Sequence, residues 1–99
     1  MNQHDDWPFA DPKNVAVFTT ASVLEDGNTI TYVTHDADDG AWQFHGGNET
    51  DNLDDARLVA LSTIYQLDPS IGSLADLPLG WHAWRASRDD DWIRTESSD

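Results

Sequence analysis

Nineteen Asp and Glu and four His are the side chains here that could bind a metal, move a proton or set up an electric field. Spacing decides among these chemistries. Asp36, Asp38 and Asp39 ahead of Gly40 have the density of a calcium loop, but a loop opening at Asp36 needs Gly at its sixth position and Glu at its twelfth. Those positions hold Ala41 and Gly47. The residues instead support a solvated turn between strands. His4, His35, His45 and His82 show none of the HxH, HExxH or HxxxH spacings that place two imidazoles on one ion. His35 and His45 could approach each other only across paired strands. No metal and no other cofactor is expected.

Catalysis lacks a constellation too. Carboxylates this dense form pairs by chance, and there is no GxSxG, no phosphate-cradling glycine loop and no GxGxxG after a strand. The absence of cysteine removes a thiol nucleophile, a disulfide scaffold and any thiolate metal site. The chain is expected not to be an enzyme, which leaves binding. Trp42, Trp81, Trp84 and Trp92 are too many large aromatics to sit centrally in so small a core. Some must cover the sheet and close its edges, or form a contact surface, since Trp, Tyr and Arg dominate binding hot spots. Arg85 and Arg94 are rare cations in an acidic chain. Pairing with internal Asp is expected of them, with a partner's carboxylate as the alternative.

The 99 residues carry five Lys and Arg, a formal net charge of −14 and a pI near 4.1. Phosphate backbones and anionic membranes would repel such a chain, so neither nucleic acid nor a membrane is an expected partner. No apolar run approaches the roughly 20 residues of a membrane span, and Met1-Asn2-Gln3-His4-Asp5-Asp6 lacks the features of a signal peptide. A cytoplasmic location is the expectation. High charge also marks disorder, but five Trp, three Phe and two Tyr interleaved with Val, Ile and Leu are what a folded core requires.

The elements that must position these residues follow from periodicity. Val15 to Thr20 reads as a strand that Ala21 to Leu24 extends as a bend or bulge. Asp26-Gly27 then signals a hairpin into Thr29 to His35, with Ile30, Tyr32 and Thr34 on one face. After the Asp36 to Gly40 turn, Ala41 to His45 forms a third strand of a meander, with Trp42 and Phe44 facing the same way. Asp51 or Asn52 caps a main helix over about 53–66, whose Leu53, Ala56, Ala60 and Ile64 stripe, widened by Leu58 and Leu61, must face the sheet. Asp68-Pro69 ends it and opens a second short helical turn. Trp81 to Ala86 alternates as a fourth strand, with Trp81, Ala83 and Arg85 opposite His82, Trp84 and Ala86, and Trp92 to Thr95 is the last. The expected architecture is α+β, a mostly antiparallel sheet of about five strands in the order βββ-α-ββ, with one main helix packed on one face. One domain spans 13–95, between a flexible acidic segment 1–12 and a disordered tail 96–99.

Three segments together resemble a known family. They are Gly40-Ala41-Trp42-Gln43-Phe44-His45-Gly46-Gly47-Asn48-Glu49, Asp68-Pro69-Ser70-Ile71, and Leu77-Pro78-Leu79-Gly80-Trp81-His82-Ala83-Trp84-Arg85. This pattern, spread over Val15 to Arg85, is similar to the immunity protein 33-like family, small bacterial domains associated with immunity to polymorphic toxins. It departs from the family at His45-Gly46, where a small polar residue is expected before the glycine. The family supplies no established catalytic residues. The resemblance implies a toxin as protein partner, and the charge of −14 adds that a basic toxin domain could be met at its cleft and occluded. Asp36, Asp38, Asp39, Glu49 and Asp51 would supply the field, and Trp42, Trp81 and Arg85 would add contacts. The competing reading is a small housekeeping, regulatory or ligand-binding domain whose acidity serves only solubility.

Overall fold

The computed structural model describes residues 7–25, 27, 29–46 and 56–97. Most of the strands form where β-branched and aromatic residues concentrate. They are β1 (Ala16–Thr20), β2 (Ile30–His35), β3 (Trp42–Gly46), β4 (Ala56–Ala60), β5 (Trp81–Trp84) and β6 (Ile93–Glu96). One six-stranded sheet results, in the order β4-β1-β3-β2-β5-β6. Helix α1 (Ala21–Glu25), helix α2 (Leu61–Leu67) and a 3-10 helix (Pro69–Leu74) join them. The class is α+β, as expected, but the sheet is mixed. β1 pairs with β3 in parallel, and every other pairing is antiparallel. The expected meander is therefore only the β2–β3 hairpin.

Three local departures have clear causes. Ala21 to Leu24 does not prolong β1, because the Thr20 hydroxyl accepts from the Val23 amide at 3.4 Å and starts α1 instead. That turn buries Val23. Ala56 to Ala60 has helical composition and apolar spacing yet is a strand, pairing with β1 from Ala16↔Ala60 to Thr20↔Ala56. Without it the flank of β1 would present a row of unpaired amides and carbonyls, so tertiary pairing overrides helix propensity. The helix starts only at Leu61, where the β1–β4 ladder is spent. Ala60 offers no side-chain cap, and the Leu61 and Ser62 amides donate to the Val15 and Lys13 carbonyls at 2.9 and 3.0 Å. In β2 a bulge between Ile30 and Tyr32 turns Ile30 into the core and leaves Tyr32 outside, so the two do not share a face.

The core lies between the sheet and the helical segments. Val17, Val33, Trp42, Phe44 and Ala83 meet Val23, Leu61, Ile64, Ile71 and Leu74. Phe9 joins them, 5.5 Å edge-on from Trp42, and the Trp7 indole donates to the Asp11 carbonyl. Trp7 and Phe9 thus pack into the domain that the sequence pattern begins at residue 13. At the other end Glu96 completes β6, and the Ser97 amide donates to the Gly80 carbonyl.

One buried ion pair ties the layers together. Asp68 caps the 3-10 helix, accepting from the Ser70 amide at 3.1 Å, as its place before Pro69 predicts. Its other oxygen accepts from Arg85 Nη2 at 2.8 Å, with the two side chains 6% and 1% exposed. Arg85 Nε donates to the Ile30 carbonyl, Nη1 donates to Ser70 Oγ, and the guanidinium lies 4.1 Å from the Trp92 ring. Arg94 pairs with Asp76 at 2.7 Å, so both arginines find internal acids. The Arg94 hydrogen bond, then its charge, hold the exposed Asp76 carboxyl below its usual value. The pair's support is present above the ordinary carboxylate range and is lost as pH falls through the lowered value; solvent keeps it small.

Arg85→Met strands a buried carboxylate and is expected to cost about 3–5 kcal/mol, against the ~5–15 kcal/mol typical of a domain. Urea unfolding should show a lower midpoint at unchanged slope. Adding Asp68→Asn, which keeps a capping oxygen, should recover part of the loss; no recovery would mean that the charge balance is not what holds this node.

Candidate functional site

All the helical segments pack on one side of the sheet, and no described element covers the other. The registers lay out that open face. One row runs Leu58, Phe18, Gln43, Thr34, His82, Thr95 across the six strands, and the next runs His45, Tyr32, Trp84, Ile93 across β3, β2, β5 and β6. A solvated sheet face ordinarily alternates to polar residues. Here Phe18, Tyr32, Leu58, Trp84 and Ile93 are 40–62% exposed. The Tyr32 ring sits between two imidazoles, 6.1 Å from His45 and 5.6 Å from His82.

Polar groups on this face are ordered. Gln43 Nε2 donates to Asp36 at 2.8 Å, and its amide oxygen meets His45 Nε2 at 3.2 Å, which fixes a run of side chains from the apolar row to the acidic turn. That turn closes through the Asp36 amide on the Ala41 carbonyl and the Gly40 amide on the Asp36 carbonyl, at 2.8 and 2.9 Å. Gly40 at φ +74° permits the reversal. Gly80 at φ +82° brings the β5 entry beside it, its amide 2.7 Å from the His35 carbonyl. Between them opens a cleft of about 550 Å³, lined in part by Tyr32, Thr34, Asp36, Asp38, Asp39 and His82.

Asp36, Asp38 and Asp39 therefore stand together at one end of the open face. Trp81 borders the same cleft but is half-buried, its ring turned toward the core layer. Trp42 is 1% exposed, stacked 3.9 Å from His35, and cannot meet a partner. Arg85 is likewise enclosed, spent on Asp68. Both leave the expected contact set because each faces inward on its strand. Glu49 and Asp51 lie outside the described residues, as does the proposed helix cap at Asp51 or Asn52. His35 and His45 are at opposite ends of the β2–β3 hairpin, paired with Trp42 and Tyr32. Among the described residues no group of three or more His, Cys, Asp or Glu could hold a metal ion, and no helix is long and apolar enough to cross a membrane.

The model of the Immunity protein Imm33 domain matches residues 17–96, from the first core residue of β1 to the end of β6. The chain belongs to the Imm33 immunity protein family. No curated protein and no solved structure matches it. The matched span of this Imm33 domain contains β2 to β6 and all but the first residue of β1, and with them both the open face and the acidic turn. Sequence reasoning missed Tyr32, Phe18, Leu58 and Ile93 as members of one surface. The alternation of Trp81 to Ala86 already set His82 and Trp84 apart from the core, but the strand order that brings their neighbours alongside has no local signal.

A Cβ at Gly40 would meet only Leu79 at 3.9 Å, so Gly40→Ala tests backbone strain alone. About 1–2 kcal/mol should be lost, seen as a melting temperature lower by roughly 5–10 °C.

Proposed function

We propose that this chain is a non-enzymatic immunity protein that binds a partner toxin and occludes a basic cleft on it. Membership of the Imm33 family carries the reading. The net charge of −14 supports it, because a toxin that acts on nucleic acid presents cations to its substrate, and an acidic domain is steered to the same place. The Asp36, Asp38 and Asp39 turn, at the mouth of a cleft and clear of the core, is suited to meet such cations. The protein would act in the cytoplasm, where the toxin's target is.

Capture from the native cell's lysate with the tagged full chain, washed at low and high salt, supplies the candidate toxin. Expressed alone, the captured protein should arrest growth, and co-expression of the chain should restore it. If no captured protein is toxic in a way the chain relieves, the immunity reading fails for this member.

With that toxin in hand, replacing Asp36, Asp38 and Asp39 together by Asn should slow association by about tenfold in dilute buffer. The difference should shrink at high salt, where charges are screened beyond a few ångströms. Stopped-flow mixing across a salt series measures both.

A further inference from the structure

We propose that the open face of the sheet is the docking surface, and that its occupant is a basic protein segment with an apolar centre. Tyr32, Trp84 and Ile93 receive that centre, and the cleft at the acidic turn receives flanking arginine or lysine. This deepens the immunity reading above and rests on it.

Three observations converge. Seven large apolar side chains are exposed among the described residues, and the registers place five of them on this one face. Exposed apolar side chains gathered on one face, rimmed by polar groups, mark an interaction site. Second, Tyr32, Trp84 and Ile93 are direct cross-strand neighbours on β2, β5 and β6, a continuous strip about 10 Å wide. Tyr and Trp there present rigid area at low entropic cost. Third, the strip runs into the cleft, since Tyr32 belongs to both, and His82 of the neighbouring row lines the cleft with Asp36, Asp38 and Asp39. An arginine entering there finds carboxylates for its charge and an aromatic ring for its plane.

Charge selects the occupant. A second copy of this chain would bring another −14 onto the same face, and the like-charge repulsion opposes stable pairing. An anionic membrane or a nucleic acid is opposed on the same ground. A cationic protein surface is favoured by the field and satisfied by the strip.

The test uses the isotope-labelled full chain, followed by amide NMR during titration with a blocked peptide alternating arginine and leucine. A control peptide has glutamate in place of arginine. Shifts should map to Tyr32, Thr34, His82, Trp84, Ile93 and residues 36–39, and the glutamate peptide should produce none. Trp84→Thr with Ile93→Thr should weaken the arginine peptide at least about tenfold, as loss of a hot spot does. Both substitutions keep β-branched, strand-compatible residues at exposed positions, and the variant's own spectrum reports that it is folded. Leu67→Gln, at an exposed apolar position on the helical side, should leave binding unchanged.

Shifts spread evenly over all acidic segments, including Asp89 to Asp91, would overturn the proposal in favour of charge alone. Face-confined self-association of the chain without peptide, seen by sedimentation, would overturn it in favour of a second copy. The immunity reading fails separately. If the growth assay shows protection and Trp84→Thr with Ile93→Thr protects as well as the parent, the surface is wrong and the function stands. If the peptide maps to the face and no toxin is relieved, the function is wrong and the surface stands.

Discussion

The arrangement of this domain depends on the buried contact between Arg85 and Asp68. Arg85 follows β5 and is directed inward by the same alternation that buries Ala83. Asp68 ends α2 and caps the 3-10 helix. Their contact therefore joins the sheet to the helical layer at the point where the chain passes between them. The Ile30 carbonyl, which accepts from Arg85, belongs to the bulge that separates the faces of Ile30 and Tyr32. One guanidinium thus holds the strand irregularity, the helix cap and the Trp92 ring in register. Buried ion pairs often add little net stability over an apolar replacement. This one links β5, β2 and the 3-10 helix through Arg85 bonds to Asp68, Ser70 and the Ile30 carbonyl.

That restraint has a consequence on the far side of the sheet. Because the bulge sends Ile30 inward, the following residues of β2 point Tyr32 and Thr34 outward, beside Trp84 and His82 of β5. The helical segments all pack on the other side, so no described helix covers these outward positions. Aromatic and aliphatic residues persist there all the same. A fold that needed only a soluble outer face would place Thr, Lys or Glu at such positions. Phe18 and Leu58 repeat the departure across β1 and β4, with Gln43 and the ordered His45 contact between the two apolar patches.

How much of this was legible in the sequence depended on whether the cause was local. Alternation placed β2, β3, β5 and β6 within a residue or two, and Asp68-Pro69 announced its own cap. Arg85 and Arg94 found acids because the chain offers cations so few alternatives. The reading failed where pairing at a distance decides. Ala56 to Ala60 has the composition of a helix and becomes a strand only because β1 needs a partner along that flank. Phe9 looked like part of a polar tail, yet Trp42 and Tyr65 offer it an aromatic socket that no neighbouring residue foretells. The acidic turn was legible as a turn, and its three aspartates as a source of field. Its position beside an apolar strip was not, since that follows from strand order.

Charge and surface do different work in such a domain. A net charge of −14 attracts any cation, so it raises encounter rates without choosing among basic proteins. Choice requires groups that are satisfied only in one geometry. Here the acidic turn is fixed by Gly40 and by the Gln43 contact to Asp36, and the apolar strip is fixed by strand registers that the Arg85 node maintains. On the proposed docking surface, a partner would have to match both the spacing of the strip and the position of its own cations to use them together. A wrong partner that meets only the charge would gain a weak, salt-sensitive contact, and one that meets only the strip would bring no cation to the three carboxylates. If the open face docks the partner as proposed, selectivity comes from the relation between two features, neither of which is selective by itself.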